Sequence, residues 1–134
     1  MTEAIIEVRD LCNRFGTQTV HEGLQLDLYK GEVLGVVGGS GTGKSVLLRS
    51  IVGLREPTAG NIHVFGKELL SLDATERSAI ERRFGVLYQR GALFSSLTVT
   101  ENIALPLIEH TKLSRASAEK LARVKIALVG LPCI

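Results

Sequence analysis

Val33-Leu34-Gly35-Val36-Val37-Gly38-Gly39-Ser40-Gly41-Thr42-Gly43-Lys44-Ser45 joins an apolar run to a glycine-rich loop, and the loop runs on into a helical pattern. Val33 to Val37 is apolar on both faces, as a strand covered by helices on both sides should be. The spacing of Ser45-Val46-Leu47-Leu48-Arg49-Ser50-Ile51-Val52 predicts a helix that stops at Gly53. Between them, Gly38 to Ser45 satisfies G-x-x-x-x-G-K-[ST] in full, in the strand–loop–helix context its mechanism needs. The glycines let the backbone curl so that successive N–H groups face one concavity, an anion nest. The positive end of the following helix adds a field that favours phosphate. Lys44 brings a point charge to β- and γ-phosphates, and the Ser45 hydroxyl offers a hard oxygen to Mg²⁺. A glycine loop alone could be a simple turn. The flanking strand and helix point instead to a nucleotide held by Gly38, Gly39, Ser40, Gly41, Thr42, Gly43, Lys44 and Ser45.

Upstream, Ile6-Glu7-Val8-Arg9 and Leu24-Gln25-Leu26-Asp27-Leu28 alternate apolar with polar, the period of half-exposed antiparallel strands. Phe15 to Thr19 reads as the turn between them, and Tyr29 to Glu32 as a second turn. Downstream, Pro57-Thr58-Ala59-Gly60 is a turn before a short alternating strand, Asn61 to Gly66. Asp73 with Glu76 resembles a capping box opening a charged helix through Arg83. Phe84-Gly85-Val86-Leu87-Tyr88 is a second compact apolar strand. Thr98 with Glu101 is a further capping box, for a helix that Pro106 should kink or shorten. A last helix is expected from Ser114 or Ser117 to Val129, ending at Gly130. The charges of 74–83 and 115–125 read as solvated helix faces. No repeat, linker or low-complexity stretch is visible.

The chain has 134 residues, the size of one domain. With 45% hydrophobic and 22% charged residues it has a globular balance, which argues against a disordered tail. A formal net charge of +2 is too mild to imply nucleic acid or an anionic membrane as partner. Aromatics at 4% leave little for a single-strand stacking platform. Cys12 and Cys133 lie far apart without Cys-x-x-Cys spacing and fit a reducing compartment. His21, His63 and His110 are isolated in sequence and read as surface or satisfied histidines, not ligands. The N-terminus lacks the pattern of a secretory leader, and every apolar run is far short of the roughly 20 residues that span a bilayer. A soluble protein is expected, with any membrane role exerted through a partner.

A P-loop does not say what is done with the nucleotide. Phe84 to Gln89, then Ala92-Leu93-Phe94 and Leu97 to Ile103, resembles the Q-loop region of ATP-binding cassette (ABC) ATPases. Leu54-Arg55-Glu56-Pro57-Thr58-Ala59-Gly60-Asn61-Ile62 is similar to that family's link between the P-loop helix and the next strand, and Gly31-Glu32 also fits. The resemblance spans essentially all of the chain. Within the family, Gln89 to Phe94 with Ala104 to Thr111 most resembles the ATPases of bacterial phospholipid importers linked to lipid-binding MCE proteins, the lipid-asymmetry or toluene-tolerance type. The resemblance implies that Phe15 lies against adenine, although many members have Tyr there and a core or turn Phe is the alternative. It implies that Gln89 contacts Mg²⁺ or its water and senses the transmembrane partner. A polar strand-end residue is the plainer alternative for Gln89. Residues 90–105 match the surface that receives a permease's coupling helix. Gly39 replaces the Pro common at that position, which should soften the loop and leave the nest intact.

The resemblance also defines what is not found. The chain has no Leu-Ser-Gly-Gly-Gln-type loop, no Asp followed by Glu and no switch histidine. Asp10, Asp27 and Asp73 do not end apolar strands. No catalytic base is therefore assigned, and Lys44 and Gln89 stand as supporting residues, with Ser45 and Gln89 toward Mg²⁺. The expected fold is α/β, a P-loop NTPase of ABC type, truncated: an N-terminal antiparallel β-subdomain, the P-loop strand–helix unit and the start of a helical subdomain. As domains, 1–134 form a partial ATPase domain. Within it, 1–88 are the β-subdomain and P-loop core and 89–134 the Q-loop and partial helical subdomain, with the C-terminal half absent. In the family's parallel sheet, two strands from that half lie between the P-loop strand and the Q-loop strand, so a gap with apolar surface and unpaired backbone is expected. The function this implies is that of a partial ATP-binding subunit of an ABC transporter of phospholipid, with ATP and Mg as cofactors. Its partners would be a permease through 89–105 and a second ATPase subunit, without nucleic acid. It would sit in the cytoplasm, peripheral on the inner face of the membrane. The alternatives are a non-catalytic nucleotide- or partner-binding remnant, and a P-loop ATPase acting on nucleic acid. A coiled-coil insertion would mark the last and is not seen.

Overall fold

Strands β1 (Ala4–Phe15) and β2 (Gln18–Tyr29) pair antiparallel, with Phe15 opposite Gln18, so that Gly16 and Thr17 alone make the turn. The structure is a computed structural model that describes residues 3–132. Cys133 lies outside the described residues. Strand β3 (Ala59–Val64) lies on the other side of β1, and the two-residue β4 (Lys67–Glu68) pairs beyond it, giving the order β2-β1-β3-β4. Phe65 and Gly66 form the hairpin turn between β3 and β4, both at positive φ as a type I′ turn demands. Phe65 therefore does not continue the strand as expected. Its strained backbone is held from the side, by the Arg83 guanidinium 3.5 Å above its ring and by Phe84.

Ile6 and Val8 point inward from β1, but so do Leu11 and Asn13. The parity switch comes from one extra residue in β1 between Val8 and Leu11, where Asp10 takes φ 50°. Gly60 makes room for this bulge: a Cβ there would stand 2.5 Å from the Asp10 carbonyl oxygen. Helix α1 (Lys44–Ile51) lays Leu47 and Ile51 on the inward face, with Ile62, Val64, Leu69 and Ile80 completing the core. Helix α2 (Ala74–Glu81) starts at Asp73, whose carboxylate accepts from the Glu76 N–H at 2.8 Å. The reciprocal half of that box is not made, and Glu76 instead approaches Lys67.

A second compact unit begins at Leu87, where the first ends at Val86. It is a helical hairpin of α3 (Val99–His110) and α4 (Arg115–Leu128) closed by Ala104, Ala118 and Ala122, small residues that let two helices approach closely. The Thr98–Glu101 capping box forms in both directions. Pro106 does not shorten α3, which continues to His110. The Pro removes one N–H, while packing of Ile103 and Leu107 against α4 holds the turn on either side of it. Ser114 caps α4, and Gly130 at φ 77° follows its last turn.

Two expected strands are not formed. Residues 33–37 and 84–88 are irregular, with Val33, Val37 and Leu87 98%, 92% and 96% exposed. A strand exists only as part of a ladder, and among the described residues no strand pairs with either segment. The apolar side chains of these segments therefore stand in water.

Candidate functional site

The P-loop joins the exposed 33–37 segment to α1. Gly41 and Gly43 sit at φ 78° and 93°, and Gly43 is the left-handed N-cap of α1 without any side-chain cap. The first N–H groups of the helix are therefore left for whatever the loop encloses. A Cβ on Gly43 would collide with Val20 Cγ1 and stand 2.7 Å from His21 Nε2, so glycine lets α1 begin directly on β2. A Cβ on Gly38 would stand 2.7 Å from Thr42 Oγ1. Gly39 differs. Its Cβ would find only Thr42 Cγ2 at 3.9 Å, an ordinary contact, so a side chain fits there.

Lys44 Nζ donates to the carbonyls of Gly38 at 2.5 Å and Gly39 at 2.7 Å, and Thr42 Oγ1 donates to Gly39 at 2.7 Å. The ammonium is thus folded over the loop by the loop's own oxygens, with no acidic residue in the first turn of α1 to compete for it. Ser40 and Ser45 are exposed. A curled backbone, a helix N-terminus, a lysine ammonium and a free hydroxyl make one electropositive cradle. It fits a polyphosphate with its magnesium. Among the described residues no cluster of three His, Cys, Asp or Glu exists to hold a metal alone, so a cation here would share its ligands with the phosphates.

Phe15 lies at the hairpin tip, 41% exposed, with the Arg55 guanidinium 4.0 Å from its ring centroid. Arg55 Nε donates to Asn13 Oδ1 at 3.2 Å and Nη2 to the Arg14 carbonyl at 3.4 Å. Asn13 Nδ2 in turn meets His21 Nδ1 at 3.1 Å and Ser50 Oγ at 3.2 Å, and Ser50 donates to Val46 in α1. Asn13, His21 and Ser50 are all buried. This polar cluster was invisible in the sequence, because the bulge at Asp10 decides that Asn13 faces inward. His21 is a satisfied histidine, as expected.

Gln89 is exposed in the second unit, just past its start. The segment after it is shaped by Asn102, whose amide accepts from the Phe94 N–H and donates to the carbonyls of Phe94, Leu97 and Thr98. Asn102 carries no role in the sequence reading. Its position one turn into a capped helix was the available signal. Leu93 and Phe94 are held out to solvent, 66% and 61% exposed. A hollow of about 410 Å³ lies among Tyr88, Gly91, Ala92, Leu93 and Phe94.

A family model described as "ABC transporter" matches residues 21–131. The chain is 43% identical over 126 residues to the "Probable ribonucleotide transport ATP-binding protein mkl" of Mycobacterium leprae (strain TN), covering 94% of this chain and 36% of that one. It is 40% identical over 130 residues to the "Methionine import ATP-binding protein MetN" of Brucella abortus (strain 2308), covering 95% and 34%. Among solved structures it is similar to the ATP-binding cassette MJ0796 in a dimeric post-hydrolysis state bound to ADP and Pi. That match has a TM-score of 0.84 and 27% identity, over 95% of this chain and 58% of the other. The chain thus spans about a third of the length of these curated relatives.

Proposed function

The chain belongs to the ABC transporter family, and from that premise we propose that it is the ATP-binding part of a transporter's ATPase subunit. MgATP sits with its phosphates on Gly38, Gly39, Ser40, Gly41, Thr42, Gly43 and Lys44. The Ser45 hydroxyl would ligate the cation and Phe15 would stack on the adenine, and Gln89 would contact the cation or its water, as the family resemblance implies. When bound, the magnesium draws charge from the β- and γ-phosphate oxygens. The observation that carries this reading is Lys44 Nζ lying over the Gly38 and Gly39 carbonyls at the uncapped start of α1. Those carbonyls hold the ammonium at the mouth of the nest, from which it can exchange oxygen for oxygen onto phosphate.

Residues 1–88 serve as β-subdomain and P-loop core, and 89–134 as Q-loop and partial helical subdomain. The permease docks on 89–105, supported by the Asn102-fixed loop that presents Leu93 and Phe94. The site lies at the inner face of the membrane, with a second ATPase subunit opposite and no nucleic acid. Among the described residues no helix is long and apolar enough to cross a membrane. Phospholipid is our reading of the cargo, from Gln89 to Phe94 and Ala104 to Thr111. The relatives' names speak of ribonucleotide and methionine.

Titration calorimetry with MgATP tests the site. Lys44→Ala removes a charge-assisted contact worth about 1.5–3 kcal/mol, so affinity should fall roughly 10- to 150-fold. Equal affinity for both proteins would sink the assignment. Phosphate release by these 134 residues should stay at background, because no residue here serves as the base that orients water and no opposing loop stabilises transition-state charge. Lys44-dependent turnover at a transporter's pace would show that a catalytic residue was overlooked.

A further inference from the structure

The polar cluster under the hairpin tip has no role in the reading above, and its geometry joins the two ends of the nucleotide site. At one end His21 Nε2 lies against Gly43, the N-cap of the P-loop helix. At the other, Arg55 lies on one face of Phe15. Asn13 connects the two, through its amide nitrogen to His21 and Ser50 and through its amide oxygen to Arg55.

We propose that Arg55 is a positioning residue that fixes Phe15 as a one-faced platform for the nucleotide base, in register with the P-loop through Asn13 and His21. The proposal rests on the nucleotide reading and deepens it. A Phe at an exposed hairpin tip has two free χ angles and two usable faces. A guanidinium tied to Asn13 Oδ1 and to the Arg14 carbonyl covers one face and holds the ring's orientation, leaving the other face open. Arg suits this task because its planar fork can stack and donate two hydrogen bonds at once, whereas an ammonium cannot. Because Asn13 also grips Ser50 of α1 and His21 of β2, the platform and the start of the P-loop helix are referred to the same buried amide.

The consequence is a split in affinity. Arg55 should matter to the base and not to the phosphates. Magnesium ATP and magnesium tripolyphosphate, which carries the same anion chain without a base, are titrated by calorimetry into the 134-residue chain and its Arg55→Ala, Arg55→Lys, Phe15→Ala and Lys44→Ala variants. In Arg55→Ala, ATP affinity should fall about three- to tenfold while tripolyphosphate stays within about twofold. Arg55→Lys should recover less than half of the loss on a logarithmic scale. Adding Arg55→Ala to Phe15→Ala should cost nothing further, since the two act as one unit. Equal losses for ATP and tripolyphosphate would reduce Arg55 to a stabilising residue and overturn the proposal, and so would no loss for either. Should Arg55→Ala not fold by circular dichroism, the same ratio read in Arg55→Lys decides. If ATP binding is insensitive to Lys44→Ala, the nucleotide reading itself fails. If binding depends on Lys44 but the ATP-to-tripolyphosphate ratio ignores Arg55, only the present proposal fails.

Discussion

Ile62 and Val64 in β3 and Val33 and Val37 before the P-loop are all β-branched and apolar, yet Ile62 and Val64 are fully buried while Val33 and Val37 stand in water. Composition does not separate them. The difference is the neighbour: β3 finds β1 on one side and β4 on the other, and residues 33–37 find no strand among the described residues. An antiparallel partner can come from a hairpin a few residues away, whereas a parallel partner must arrive from a distant crossover. The antiparallel ladder is therefore complete among the described residues, and residues 33–37 and 84–88 have no strand partner there.

The largest effect expected from this contrast is in the core. Ile62→Ala should lower stability by about 2–5 kcal/mol, because a fully buried branched side chain leaves a cavity in the core under β3. Leu87→Ala, at a position 96% exposed, should stay within about 0.5 kcal/mol. Urea titration followed by circular dichroism reads both. If Leu87→Ala proves as costly as Ile62→Ala, the 84–88 segment has a partner in solution and the contrast breaks.

A smaller effect is expected where the two regions meet. Gly43→Ala forces a side chain into positive φ and against Val20, at a cost of about 1–3 kcal/mol. Gly39→Ala meets only ordinary contact and should be nearly neutral in stability. The same titration ranks the pair, and the reverse order would mean that the loop is not held on β2 as described. The smallest effect belongs to the second unit. Thr98→Ala breaks both halves of the α3 capping box and should cost about 1 kcal/mol, read as roughly fivefold faster amide exchange in the first turn of α3. Unchanged exchange there would show that packing against α4, and not the cap, sets that turn.

Local chemistry was legible in the chain itself. The Gly38–Ser45 loop, the Thr98–Glu101 box and the stop at Gly130 each depend on residues within a few positions of one another, so spacing reveals them. Helix α1 was legible for the same reason. The choice of Ser114 over Ser117 as the start of α4 rests instead on the Ser114 hydroxyl accepting from the Ser117 N–H. The Gly38–Ser45 cradle needs no distant partner beyond the wall of β2, and its residue types suit the polyphosphate we propose for it. Phe15 was named from resemblance alone, and nothing nearby in sequence says what would hold it.

What only the tertiary structure decided depends on groups that meet across long stretches of chain. One extra residue at Asp10, accommodated by the missing Cβ of Gly60 some fifty positions later, turns Asn13 inward. That reversal of parity, with a second one where β2 carries an extra residue between His21 and Leu24, brings Asn13 and His21 to the same buried face beside Ser50 and Arg55, since a strand's side chains alternate with period two and a bulge shifts that alternation. Around Phe65, whose positive φ belongs to the tight β3–β4 turn, Arg83 and Phe84 arrive from beyond α2 to pack on its ring. Residues 33–37 and 84–88 carry the pattern of buried strands, but a pattern specifies only which face is apolar. Whether that face is covered depends on a ladder partner, and backbone hydrogen bonds between strands are made by the fold and never by the segment.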